Sequence, residues 1–122
     1  MSLRLGPEVR LRSREEFKLV QQQGRRVAAK YMTVLALPNA LDRDRLGIIA
    51  SRRLGGAVVR NRAKRRVREV FRHQQPDESA RRGFQPLDIV VIPRRELVTA
   101  PFEAVTADFV DALGRLDRAR RR

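Results

Sequence analysis

The residues with the most distinctive chemistry lie between Gly55 and His73, in the stretch GGAVVRNRAKRRVREVFRH. Basic side chains recur throughout it, and Glu69 is its first carboxylate. At 100° per residue, a helix over this stretch has an apolar stripe on one side and a cationic face on the other. The stripe consists of Val59, Ala63, Val67, Val70 and Phe71, and the cationic face of Asn61, Lys64, Arg65, Arg68 and Arg72. We therefore predict a helix that packs on a sheet and directs its cations outward, where arginine is suited to binding phosphate.

Two interpretations of this cationic face are open: a solvated surface, or a binding surface for a polyanion. Solvated helical faces usually mix signs, because an acidic and a basic residue four apart stabilise a helix. Here Lys64 and Arg68, and Arg68 and Arg72, are like-charged pairs at that spacing, and each pair costs roughly 0.2–0.5 kcal/mol. A partner that neutralises the face explains this repulsion better, so we favour phosphate binding.

The composition allows one modest domain and indicates an anionic partner. The chain has 122 residues, with 28 basic and 14 acidic side chains and a formal net charge of +14. Such an excess destabilises a compact protein unless nucleic acid or an anionic membrane surface neutralises it. With no cysteine and one histidine, the chain cannot form disulfides, thiolate metal sites or the usual zinc ligand sets.

The sequence gives no sign of a membrane segment. No apolar run approaches the roughly 18 residues of a membrane span, and the start MSLRLGPEVRLRSREEF lacks the apolar centre of a secretory signal. We therefore expect a cytoplasmic protein without a membrane partner.

The other elements must hold the basic helix in position. Ser13 followed by Glu16 forms a capping box, and Gly24 terminates a helix, which predicts a first helix over about residues 14–23. Alternating and apolar runs predict strands at 27–37, 46–51 and 87–92, and Pro101 begins a last helix. The polar stretch 74–85 is typical of a mobile connection.

This order of elements predicts an α+β fold, with two layers around a mostly antiparallel sheet. We expect a single domain over residues 13–117, preceded by a basic arm over 1–12. The basic residues 118–122 are typical of a tail that is disordered until it meets an anion.

Few residues could form a protein active site. His73 ends the basic helix without an evident partner, and we interpret it as a residue favoured there by the helix dipole. Asp108 and Asp111 lie three apart on the last predicted helix and could share a metal ion, although ion pairs with nearby arginines are the commoner arrangement. The sequence therefore predicts no self-sufficient active site. A metal nuclease that uses these two aspartates stays open as an alternative.

The segment GIIASRRLGGAVVRNRAKRRVREVF resembles the signature of the bacterial ribonuclease P protein subunit, in which a strand and a basic loop lead into an Arg-Asn-Arg helix. RSREEFKLVQQQGRRVA is similar to the first helix and following turn of that family, and LDIVVIPRRE to its late strand. The resemblance covers most of residues 10 to 116. It implies the fold class of the second domain of ribosomal protein S5, with a left-handed βαβ crossover.

The resemblance also implies a function. The chain would be the accessory subunit of an endoribonuclease whose catalyst is RNA, and it would bind that RNA and the 5′ leader of precursor tRNA. The Mg²⁺ that the holoenzyme requires would be held by RNA, and no obligatory protein partner is expected. RNA-contacting residues would be Arg52, Arg53, Arg60, Asn61, Arg62, Lys64, Arg65, Arg66 and Arg68, and the leader cleft would contain Phe17, Tyr31 and Leu35.

This chain departs from the family pattern in the cleft. Gln21 stands where many members have a second aromatic on the first helix, and Leu35 where a strand aromatic is often found. Tyr31 would replace the missing aromatic only if the strand register or twist differs from our prediction. The alternative function is that of a ribosomal-type structural RNA-binding protein, which would have no role in cleavage.

Overall fold

The computed structural model describes residues 9–74 and 86–120, with side chains as far as residue 116. In chain order the elements are α1 (Arg14–Gln23), β1 (Arg25–Ala28), β2 (Met32–Pro38), β3 (Arg45–Ile48), a 3₁₀ turn (Arg52–Leu54), α2 (Ala57–His73), β4 (Leu87–Pro93), a second 3₁₀ turn (Arg95–Val98) and α3 (Phe102–Arg120). The predicted connection 74–85 lies outside the described residues apart from Gln74, as do the first eight residues of the predicted arm.

The four strands form one sheet in the order β1-β2-β4-β3. β2 pairs antiparallel with β1 and with β4, whereas β3 pairs parallel with β4. The chain between β3 and β4 contains α2, so the basic helix is the crossover of a βαβ unit. The α+β class and the mostly antiparallel sheet are thus confirmed.

Helices cover both faces of the sheet, which adds a layer to the two that we predicted. On one face, Met32 and Val34 of β2 pack in the same cluster as the apolar residues of α2 and α3. On the other face, Leu35 and Val90 pack with Val20 of α1. Because successive strand residues point to opposite faces, β2 contributes to both clusters.

The first helix follows the sequence prediction from residue to residue. Ser13 Oγ accepts a hydrogen bond from the Glu16 amide at 3.1 Å, and Glu16 Oε1 accepts one from the Ser13 amide at 2.8 Å, so the capping box is complete. At the other end, Gly24 lies between α1 and the sheet: a Cβ there would be 2.4 Å from the carbonyl oxygen of Val20 in α1 and 3.0 Å from that of Ala36 in β2. The predicted boundaries, 14–23, are those observed.

The predicted strand 27–37 is wrong as a single element. It is two strands, β1 and β2, joined by a tight turn through residues 29–31. Asp108 of α3 stabilises that turn, because its carboxylate accepts hydrogen bonds from the amides of Lys30 at 3.0 Å and Tyr31 at 2.8 Å. Both amides are satisfied by a residue 77 or more positions away, which no local pattern indicates.

The described part of the predicted arm extends the sheet. Arg10 forms a parallel bridge with Leu46, and the Leu11 amide donates to the Leu46 carbonyl at 3.0 Å. Since the other side of Leu46 pairs with Ile89 of β4, Arg10 lies on the outer edge of β3. At the other end of the chain, α3 continues to Arg120, into the segment predicted as a tail. No helix within the described residues is both long and apolar enough to cross a membrane.

Candidate nucleic-acid interface

The two sides of α2 differ as the sequence predicts. Ala63, Val67, Val70 and Phe71 are buried against the sheet and α3, and Val59 packs against the same cluster. On the opposite side Asn61, Arg65 and Arg68 are exposed, while Lys64 and Arg72 are half-buried. The burial of the apolar stripe fixes which side of the helix is directed outward, and that side is cationic.

The 3₁₀ turn before α2 adds two exposed cations, Arg52 and Arg53. Gly55 follows with φ of +146°, a conformation that side chains rarely adopt. A Cβ at this glycine would also be 3.0 Å from the side chain of Val59. Gly55 therefore allows the basic 3₁₀ turn to lead directly into α2. Arg62, in the second helical turn of α2, is also exposed.

Arg66 differs from the other basic residues of α2. Its Nη1 donates to the carbonyl oxygens of Leu97 at 3.0 Å and Val98 at 2.7 Å, and its Nη2 donates to that of Ala100 at 2.6 Å. The guanidinium thus provides hydrogen-bond donors for the backbone carbonyl oxygens at the end of the second 3₁₀ turn. The sequence predicts an RNA contact for Arg66, yet the structure shows it bound within the protein.

Arg10 adjoins this surface, although the sequence pattern did not predict it as a site residue. Burial, and then the charge of Arg10, lower the pKa of Arg68. The Nε of Arg10 and that of Arg60, which is half-buried, are both shielded from solvent without a hydrogen-bond partner in the described part of the chain. The basic residues of the N-terminal segment were the signal that could have identified Arg10. Its position at the edge of β3 brings it beside α2 only in the folded protein.

The aromatic site lies on the opposite face of the sheet, under α1. Phe17 is half-buried and packs in the cluster of Leu35 and Val90. Leu35 is only 3% exposed, so it offers little surface to a ligand. Phe17 and Leu35 therefore lie on the same face, as the sequence predicts.

Tyr31, the third predicted cleft residue, lies elsewhere. It packs against the cluster on the α2 and α3 face, and the Lys30 ammonium lies 5.3 Å from its ring centroid. Its backbone is held at both ends, since its amide donates to Asp108 and its carbonyl accepts from the Arg94 amide at 2.8 Å. The structure therefore separates Tyr31 from Phe17, and residues 9–74 and 86–116 provide no replacement for the second aromatic on that face.

A polar network joins α1 to the sheet beside Phe17. Arg45 of β3 donates from Nε and Nη2 to the two carboxylate oxygens of Asp88 at 2.9 and 2.8 Å, and from Nη1 to Glu16 Oε2 at 2.6 Å. Asn39 donates to Asp88 Oδ1 at 2.8 Å. Hydrogen bonds from the amides of Ser13 and Arg12, aided by Arg45, lower the pKa of Glu16 to about 2. The hydrogen bonds from Arg45 to Asp88 raise the pKa of Arg45, so Arg45 and Glu16 carry opposite charges at neutral pH.

The residues considered for protein-based catalysis have other contacts. Asp108 binds two backbone amides, and Asp111 forms the predicted kind of ion pair, with Arg115 at 3.0 Å. His73 lies 3.0 Å from Glu69 and edge-on to the Phe102 ring, with 6.2 Å between ring centroids. Within residues 9–74 and 86–116, histidine, aspartate and glutamate side chains form no group of three that could hold a metal ion.

Comparisons with known proteins identify the same family over nearly the whole chain. The sequence model of the family described as Ribonuclease P matches residues 5–117. The Ribonuclease P protein component of Thermotoga maritima is 44% identical over 96 residues, which are 79% of this chain and 77% of that protein. The protein of the same name from Chloroflexus aggregans is 40% identical over 104 residues, 85% of this chain and 74% of that protein.

Solved structures give the same result. The RNase P protein from Thermotoga maritima has a TM-score of 0.72 and 37% identity, with 87% of this chain and 96% of that chain covered. The RNase P protein from Staphylococcus aureus has a TM-score of 0.70 and 28% identity, with 87% of this chain and 93% of that chain covered.

Proposed function

This chain belongs to the ribonuclease P protein family, and from that membership we propose that it acts as the protein subunit of ribonuclease P in the 5′ maturation of tRNA. The observation that carries the proposal is the outward-directed cationic face of α2, which lies inside the matched region 5–117. The alternative of a ribosomal-type RNA-binding protein is not favoured, because the relatives are named as components of ribonuclease P.

In this proposal the cationic face of α2 and the adjoining turn bind the catalytic RNA. Guanidinium groups donate in a planar fork that matches phosphate oxygens, and exposed side chains can reach a backbone without a change in the fold. The contact residues are Arg52, Arg53, Arg60, Asn61, Arg62, Lys64, Arg65 and Arg68. Arg66 is left out because its guanidinium nitrogens already bind three carbonyl oxygens.

The 5′ leader of precursor tRNA would bind on the opposite face of the sheet, at Phe17. A single strand of RNA is held by stacking of its bases on aromatic rings and by cations that follow its backbone. Phe17 is the half-buried ring available for stacking, and the buried Leu35 packs in the same cluster. Tyr31 takes no part in this site, because it packs against the other face of the sheet.

In this proposal the RNA catalyses the cleavage, and the RNA also binds the Mg²⁺ that the holoenzyme requires. The described carboxylates fit a protein-held metal poorly, because Glu16 and Asp88 bind Arg45 and Asp108 binds backbone amides. We accordingly propose that the protein contributes binding and that it works in the cytoplasm, in contact with the catalytic RNA and precursor tRNA.

Reconstitution with the catalytic RNA tests the proposal. The equilibrium affinity of the holoenzyme is measured for precursor tRNA with a leader and for mature tRNA without one, in the presence and absence of the protein. We expect the protein to increase affinity for the substrate with a leader and to change affinity for mature tRNA much less. An equal effect on both substrates would refute leader binding, and no effect on cleavage at any protein concentration would refute the subunit role.

A further inference from the structure

The ring of Phe17 rests on the backbone of β3 at Gly47. A Cβ atom added to Gly47 would lie 2.5 Å from Cε1 and 2.6 Å from Cζ of that ring, and 3.0 Å from Cδ1 of Leu11. Carbon atoms in favourable contact are about 3.5–4.0 Å apart, so no side chain fits there while the ring keeps its place. Glycine at position 47 is therefore what allows the far end of the ring to approach the strand this closely.

The same strand also holds the residue before Phe17. Arg45, two positions before Gly47, donates to Glu16 at 2.6 Å and is itself held by the fork of contacts with Asp88. Asp88 is 6% exposed, which makes the fork a rigid support. β3 thus fixes Phe17 at two points, one beneath the ring and one through the helix that bears it.

The position of this ring matters because the described residues offer no second aromatic on its face of the sheet. Phe71 and Phe109 are buried in the core cluster on the opposite face, and Tyr31 and Phe102 pack against that same cluster. At position 21, on the same helix as Phe17, the side chain is an exposed glutamine. Among the described residues, a base that stacks on this face has one ring to stack on, so its affinity depends on how that ring is presented.

We propose that Gly47 is a positioning residue for leader binding: it seats the Phe17 ring on β3 so that the outer face of the ring is presented to a leader base. Arg45 supports the same arrangement by holding Glu16. This inference rests on the proposed function, since it concerns how the leader site of that function is built.

Gly47→Ala is a sharp test because it moves side chains and spares the backbone. The atoms that a new methyl group would meet are the far end of the Phe17 ring and a methyl group of Leu11, both of which can rotate away. The matched control is Gly114→Ala on α3, where an added Cβ has no atom within 4 Å in the described structure.

The measurement is the affinity of the reconstituted holoenzyme for precursor tRNA relative to mature tRNA. A stacked base contributes enough that its loss lowers affinity about 5- to 150-fold. We expect Phe17→Ala and Gly47→Ala each to reduce the leader-dependent part by a factor in this range. The double variant should lose little more than either single variant, because both changes remove the same stacked ring. Gly114→Ala should keep the wild-type ratio, and affinity for mature tRNA should be unchanged throughout.

The outcomes separate this inference from the proposed function. If Phe17→Ala loses leader-dependent affinity while Gly47→Ala retains it, the positioning role of Gly47 is refuted and leader binding at Phe17 is supported. If Phe17→Ala retains this affinity, or wild type has none, leader binding at Phe17 is refuted, and the positioning role of Gly47 is refuted with it. Should Gly47→Ala not fold, Arg45→Lys keeps the charge but cannot reproduce the fork. A loss of leader-dependent affinity that is not additive with Phe17→Ala would then support the inference, and an additive loss or no loss would refute it.

Discussion

Arg66 of α2 donates a hydrogen bond from Nη1 to the carbonyl oxygen of Val98 at 2.7 Å, and so ties the basic helix to the 3₁₀ turn that precedes α3. The same guanidinium binds the carbonyl oxygens of Leu97 and Ala100. Its neighbour Arg65, one position earlier, is exposed. Adjacent arginines in one motif thus have separate tasks, one within the fold and one at the surface.

Arg66→Met should therefore reduce stability, and Arg65→Met should not. Removing the guanidinium leaves part-buried carbonyl oxygens without their charged donor, which costs about 2 kcal/mol in the free energy of unfolding. Arg65→Met should stay within about 0.5 kcal/mol of wild type, as exposed substitutions usually do. Urea denaturation of the isolated protein measures both. Equal stability of the two variants would show that the three hydrogen bonds contribute nothing net.

The hydrogen bonds that Glu16 accepts from the amides of Ser13 and Arg12, aided by Arg45, predict a dependence of stability on pH. The pKa of Glu16 is lowered from 4.5 to about 2, so its ionised form stabilises the fold. That contribution is complete above about pH 4.5 and is lost as the pH falls toward 2. With allowance for screening at this partly exposed side chain, it is worth roughly 2 kcal/mol.

Glu16→Gln isolates that contribution, because the amide keeps an oxygen for the capping box and loses the charge. The variant should be less stable than wild type at pH 6, and the difference should shrink by pH 2.5. Glu15→Gln, one residue earlier and exposed, is the control and should track wild type. A difference between Glu16→Gln and wild type that is constant across this pH range would contradict the assignment.

The sequence predicts local features of this fold well and long-range polar contacts poorly. The capping box of Ser13 and Glu16 and the apolar stripe of α2 depend on spacing alone, and both are observed. The contacts of Asp108 with the turn at Lys30 join positions far apart in the chain. The sequence pattern therefore predicted one continuous strand where the structure has two strands and a turn. The role of Arg66 was missed for the same reason, since its carbonyl partners follow it by more than 30 residues.

The candidate site shows the same division. The outward face of α2 follows from helical periodicity, and Phe17 and Leu35 share a face as predicted. The resemblance implied a place for Tyr31 in the cleft, and the predicted strand 27–37 included it, whereas β2 begins only at Met32. The chain turns at Tyr31, and the ring packs on the other side of the sheet. Alternation holds only while the backbone is extended, so assignments at strand ends are weaker than those within a strand.

The salt dependence of RNA binding tests the face of α2 directly. Affinity for RNA falls as salt rises, so the slope of log affinity against log salt is negative. Replacing a phosphate-binding arginine should make this slope shallower, by roughly 0.7–0.9 for each phosphate that the protein no longer neutralises. We expect this change for Arg65→Met and again when Arg68→Met is added, in filter or fluorescence titrations with the catalytic RNA. Arg115→Met, which removes a partly exposed arginine from α3, is the control. An unchanged slope in the double variant would mean that this face is directed toward solvent in the complex.

Asp108 and Asp111 lie three residues apart on α3. Substituting them should have different effects if their roles are structural, and the same effect if they share a metal ion. Asp108→Ala leaves the amides of Lys30 and Tyr31 without their acceptor, which should cost about 1–3 kcal/mol in the free energy of unfolding. Asp111→Ala removes only an exposed ion pair with Arg115 and should cost less than about 1 kcal/mol.

If the two aspartates instead shared a metal ion, added Mg²⁺ would stabilise wild type and neither variant. RNA-free protein would then also cleave precursor tRNA in Mg²⁺, and both substitutions would abolish that cleavage. We expect no cleavage by the RNA-free protein, and thermal melts in which wild type and Asp111→Ala respond alike to Mg²⁺, because the Asp108 carboxylate is already bound to the turn.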